Sequence, residues 1–124
     1  MRPAEARGLP PSLFEVVHRA IEVTDPSGEF GVADLIRPVE DSDEPITAHE
    51  DIETDLAELK GRIDPQDEDP AVMMAVAVAT YLAYRRDELD DDPADLLRLA
   101  ARAEYRGSPP EHVSAWLGDR GVRI

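Results

Sequence analysis

The sequence predicts an all-α protein, a compact bundle of about five helices around one central apolar helix. Three observations carry this expectation. Apolar residues recur at helical spacing from Ser12 to Thr24 and again from Ile52 to Ile63. The start pattern Asp-Pro-Ala occurs twice, at Asp69–Ala71 and Asp92–Ala94, with Asp suited to the cap and Pro to the first helical position. The stretch Ala71–Ala83 is apolar nearly all round, which suits a helix at the centre of a bundle or one covered by a partner. At 124 residues the chain has room for a single domain with a real core.

In chain order, residues 1–10 read as an arm in which Pro3, Gly8 and Pro10, followed by Pro11, oppose regular structure. Residues 11–124 read as one helical domain. The first helix, Ser12 to Thr24, places Leu13, Phe14, Val16, Val17, Ala20 and Ile21 on its apolar face. Glu15, His18, Arg19 and Glu22 lie on its polar face. Asp25-Pro-Ser-Gly breaks it. Val32 to Ile36 suits one helical turn ended by Pro38, and residues 40–44 form an acidic loop. The second helix starts at Thr47, which forms a capping box with Glu50. Its seam of Ile52, Leu56, Leu59 and Ile63 is narrow enough for one neighbouring helix.

The third helix has Asp69 as cap and Pro70 at its first position. Tyr81 and Tyr84 lead to Arg85 and Arg86, whose cations complement the negative end of the helix dipole. The fourth opens at Asp92-Pro93-Ala94 and stops at Gly107. The fifth opens with a second capping box, Ser108 with Glu111, carries Val113, Trp116 and Leu117, and ends at Gly118. Val122 and Ile124 are expected to tuck back as apolar anchors.

Charge is plentiful and uneven. Asp and Glu number 28 against 13 Lys and Arg, for a net charge of −15, and Lys60 is the only lysine. Such a charge opposes compaction by self-repulsion. Molar salt relieves it by shortening the Debye length to about 3 Å, and so does a basic partner. Residues 25–69 hold 16 acids and three bases, whereas residues 93–124 hold four acids and five arginines. In that last segment Arg98, Arg102 and Arg106 recur every four residues along one strip of the fourth helix. The plain reading is a solvated acidic face with the arginines paired inside the fold. The sharper one is head-to-tail association of acidic region and arginine strip, a contact that closes into rings or grows into filaments. Arg98, Arg102, Arg106, Tyr81, Tyr84, Arg85, Arg86 and Trp116 are the residues expected at such an interface.

Several chemistries lack their residues. Without cysteine there are no disulfides and no thiolate metal sites. No phosphate loop, dinucleotide fingerprint, nucleophile elbow or His-Glu-x-x-His helix is present. Glu15-x-x-His18, with Glu22, has the spacing of a di-iron bundle ligand set, but it lies on a polar face without a second copy of the motif. His49 with Glu53, and His112 beside Glu111, read as surface residues. The Asp25–Gly31 stretch fails the calcium-loop register, because Pro26 would be the first ligand and Arg37 the twelfth. The clusters Asp64–Asp69 and Asp87–Asp92 read as helix-capping loops. An enzyme is not expected, and neither is a cofactor or a metal. The apolar run Ala71–Ala79 is short of the roughly 20 residues a membrane span needs. Met1–Pro11 shows no signal-peptide pattern. The expected setting is the cytoplasm, or a virion assembled there.

Three resemblances bear on function. Scarce lysine, abundant Asp and the absence of Asn and Cys resemble the proteins of salt-loving archaea. That implies a high-salt habitat, although a GC-rich genome also favours Ala, Arg, Asp, Gly and Pro. Pro70, Ala75, Leu82, Tyr84 and the following arginines resemble the central helix of tailed-virus head–tail connector proteins. This resemblance implies a small ring-forming adaptor, although the family pattern ahead of this helix is not evident and the arginine offset differs. Leu97–Ile124 is similar to a helix-turn-helix, with Ala103, Gly107, Val113 and Trp116 near its small, turn and core positions. The segment Val113–Val122 also looks like the tail of small antitoxin or regulator proteins. Arg102, Arg106 and Ser108 depart from that pattern by standing where core apolars belong.

The leading expectation is therefore a non-catalytic adaptor that binds itself or another protein. The alternative is a nucleic-acid-binding regulator or antitoxin. A third reading, an acidic mimic of DNA that binds a basic protein, rests on net charge alone.

Overall fold

A computed structural model describes residues 12–28, 31–39, 52–64, 66, 68–85 and 91–122. The expected arm, the Thr47–Glu50 capping box, the acidic loop 40–44, His49, Arg86 and Ile124 lie outside the described residues. Within them the fold is all-α. It contains α1 (Leu13–Thr24), a 3-10 helix (Val32–Val39), α2 (Ile52–Ile63), α3 (Pro70–Tyr84), α4 (Pro93–Tyr105) and α5 (Glu111–Asp119).

The apolar α3 is the hub. It packs against α1, α2, α4, α5 and the 3-10 helix. Ala71–Ala75, Ala77–Ala79, Leu82 and Ala83 are all buried. The helix that is apolar all round is thus covered by its own chain, so its composition calls for no partner. Its many alanines let four helices approach closely. The cavity left between α1, α2 and α3 is only about 10 Å³ and lined by apolar side chains such as Val17, Leu56 and Ala75. That is at the lower limit for a water and offers it no polar partner.

Local chemistry sets most boundaries. Ser12 caps α1 in a full capping box: its Oγ accepts from the Glu15 N–H at 3.1 Å, and Glu15 Oε1 accepts from the Ser12 N–H at 2.9 Å. The sequence carries that signal at the same spacing as Thr47–Glu50. Asp69 caps α3 and Asp92 caps α4, each through its carboxylate and the amide two residues on, as expected. Gly28, at φ +78°, turns the chain after α1. The buried Asp25 then accepts from the Val32 N–H at 3.2 Å and fixes the start of the 3-10 helix.

Three boundaries differ from expectation. The 3-10 helix continues past Ile36 through Pro38, because the φ that Pro imposes, about −65°, falls within the 3-10 range. The Ser108–Glu111 capping box does not form; Pro110 is the cap residue and no side chain caps α5. Pro110 biases Pro109 toward extended backbone, so the helix starts two residues beyond the sequence signal, at Glu111 rather than Pro109. Ser108 instead donates its N–H to Tyr105 O and closes the turn after α4. Finally, α5 ends at Asp119 rather than Gly118. Gly121, at φ +73°, makes the reversal, with Val122 N–H donating to Leu117 O and Gly121 N–H to Gly118 O. This is a Schellman ending, and it buries Val122 against the core as expected.

Gly61 supplies a test of helix energetics. It lies exposed in the last turn of α2, and an added Cβ would meet nothing within 4 Å. Gly61→Ala is expected to raise stability by up to about 1 kcal/mol, since no contact opposes the entropic gain. Gly121→Ala, forced into a left-handed φ, is expected to lower it by about 1–2 kcal/mol. Urea titrations of both variants check the two signs.

Candidate interaction surface

The arginine strip forms as the spacing requires. Leu96, Leu97, Ala100 and Ala101 are the buried stripe of α4. Arg98 and Arg102 project from the opposite side at helical phase, and Arg106 follows as the cap residue just past the helix end. Arg98 pairs with Asp95 at 2.8 Å, a neighbouring residue on the same turn. Arg102 and Arg106 are exposed, and neither has an ion-pair partner among the described residues. Arg106 also has φ +54°, the only positive φ of a non-glycine residue among those described.

A second feature lies at the C-terminal end of α3. Tyr81, Tyr84 and Arg85 line a groove of about 280 Å³ together with Ala77, Thr80, Ala103 and Glu104. Tyr84 is 61% exposed, the one large apolar side chain left exposed among the described residues. Arg85 terminates α3, its N–H donating to Tyr81 O at 2.9 Å. The groove gathers three residues singled out in the sequence. It adds Glu104 and a floor of small side chains that no sequence signal marks, because they come from two helices.

Trp116 is placed elsewhere. It is 6% exposed and belongs to the core face of α5 with Val113 and Leu117. The Arg120 guanidinium lies 3.8 Å from its ring centre. Its buried Nε1 has no acceptor among the described residues. Trp116 therefore belongs to neither the strip nor the groove.

The remaining polar candidates are structural or solvated. His18 and Glu22 are about half exposed and 3.9 Å apart, and Phe14 stacks on the His18 ring. His112 is exposed as a residue, yet its Nε2 lies 3.3 Å from Met73 Sδ. Asp64 is buried and accepts from the Glu68 and Asp69 N–H groups, both at 3.0 Å. Among the described residues no group of three or more His, Asp or Glu is arranged to hold a metal ion. No helix among them is long and apolar enough to cross a membrane.

The helix-turn-helix resemblance lacks its packing. Such a motif sets two successive helices against each other, whereas α5 packs mainly on α3 and Ala103 is exposed. No protein-family model, curated protein or solved structure matches the chain.

Proposed function

We propose that this chain is a non-catalytic adaptor or assembly module that self-associates, the arginine strip of one copy meeting the acidic region 25–69 of the next. The observation that carries this reading is the pair Arg102 and Arg106. In a chain with 28 acidic residues, both are exposed and unpaired among the described residues. Arg106 moreover sits in a left-handed conformation that Gly or Asn adopts with less strain. A strained residue kept at the end of a charged row fits a role outside the fold. Head-to-tail contacts of this kind close into rings or grow into filaments. A ring is also what the resemblance of the third helix to virion head–tail connectors implies, and that is the more specific form of the proposal.

The same strain supplies a clean variant. Arg106→Gly relieves it and Arg102→Ala keeps helix propensity, so the double variant retains the fold while removing two charges of the strip. Light scattering in about 0.15 M KCl, where the Debye length is about 8 Å, compares the two proteins. Whole-molecule repulsion is largely screened there, but charge contacts at a few ångströms persist. Wild type is expected to show the larger mass, and the difference is expected to vanish in molar KCl. Equal masses at 0.15 M would dispose of the strip as an interface. Stability moves the other way: screening of the −15 charge raises the thermal midpoint as KCl increases.

A further inference from the structure

We infer that the groove between α3 and α4 is a self-complementary contact through which two copies of this chain dock about a two-fold axis. This contact is distinct from the arginine strip and goes beyond the head-to-tail reading. Knob and socket lie on one surface. Tyr84 is the knob, 61% exposed. Ala77, Thr80 and Ala103 are the socket, small side chains beside an open volume of about 280 Å³. Tyrosine and arginine are the residue types that anchor protein interfaces, and Tyr81, Tyr84 and Arg85 adjoin here.

Charge selects the occupant. The groove carries one cation, Arg85, and one anion, Glu104. Neither has an ion-pair partner among the described residues. An acidic ligand would satisfy Arg85 and be repelled by Glu104; a basic ligand would do the reverse. In a two-fold contact residue i meets j and j meets i. Arg85 of one copy then meets Glu104 of the partner subunit, the pair forms twice, and each Tyr84 ring enters the opposite socket. A contact confined to this groove belongs to the small class below about 1,200 Å², so the dimer is reversible and concentration-dependent.

The test uses the full chain carrying Arg102→Ala and Arg106→Gly, so that the strip does not contribute. Sedimentation equilibrium in about 0.15 M KCl measures the dimer, and circular dichroism verifies that each variant is folded. Tyr84→Ala is expected to weaken the dimer by about tenfold or more. Arg85→Glu alone and Glu104→Arg alone each place like charges opposite one another and lose the dimer. Mixing these two single variants in equal amounts restores it, because the heterodimer pairs opposite charges at both positions. A monomeric parent, or a mixture that dimerises no better than its components, overturns the inference. Neither result touches the comparison of wild type with the strip variant, so the two readings fail separately.

Discussion

Replacing Leu82 by Ala is expected to lower the unfolding free energy by about 2–5 kcal/mol. Leu82 is fully buried in the last turn of α3, the helix on which every other described helix packs. Truncation removes apolar contact and leaves a space that the surrounding helices cannot close without moving their backbones. A small domain has about 5–15 kcal/mol in total, so the variant loses a large share of it. Urea titration should show a lower midpoint with an unchanged slope. Leu82→Met, which conserves volume, should cost less than about 1.5 kcal/mol. Tyr84→Ala, two residues further on but 61% exposed, should stay within about 0.5 kcal/mol. That contrast separates the part of α3 that holds the fold from the part left exposed. A Leu82→Ala protein as stable as wild type would mean that α3 is not the centre of the bundle.

What the sequence disclosed here was local, and what it withheld was long-range. Asp69-Pro70 and Asp92-Pro93 each encode a cap and a first turn within three residues, and both helices start where those residues say. The i, i+3, i+4 spacing in Leu13–Thr24 likewise fixed the buried face of α1, with Val23 added and Phe14 and Ile21 only partly covered. At the start of α5 two local signals compete, and the consecutive prolines overrule the Ser108 cap. Apolar character around α3 could not distinguish burial by the chain itself from burial by a partner. That depends on helices elsewhere in the chain, from the neighbouring α2 and α4 to the distant α1. The same limit applies to Trp116, whose helical phase with Val113 and Leu117 is legible but whose burial comes from the fold. The groove is illegible for the same reason. Tyr84 and Glu104 are remote in sequence and share a surface only because α3 and α4 pack together. The shared face of Arg98 and Arg102, by contrast, needs only helical periodicity, whereas Arg106 stands beyond the helix in a left-handed turn that the spacing does not encode.

Asp64→Ala is expected to cost about 2–4 kcal/mol, although the residue removed is one of 28 acids in an acid-rich chain. The Asp64 carboxylate is buried where the chain passes from α2 to α3. Its own N–H donates to Lys60 O at 2.7 Å and so extends the end of α2. Its two oxygens accept from the Glu68 and Asp69 N–H groups. Asp69 then caps α3, its carboxylate accepting from Ala71 N–H and its carbonyl from Met73 N–H. One buried carboxylate therefore fixes the residue that starts the central helix. Without it, two partly buried amides lose their acceptor, at about 1–3 kcal/mol each when burial is complete. Asp64→Asn retains one carbonyl acceptor but turns an amide N–H toward the second donor, so it should recover only part of the loss. Glu68→Ala removes an exposed acid from the same loop and should change stability by less than about 0.5 kcal/mol. Urea titration of the three variants in molar KCl separates hydrogen bonding from simple charge removal. If Asp64→Ala were no more costly than Glu68→Ala, the buried carboxylate would be dispensable and the acidity of this loop would be surface charge alone.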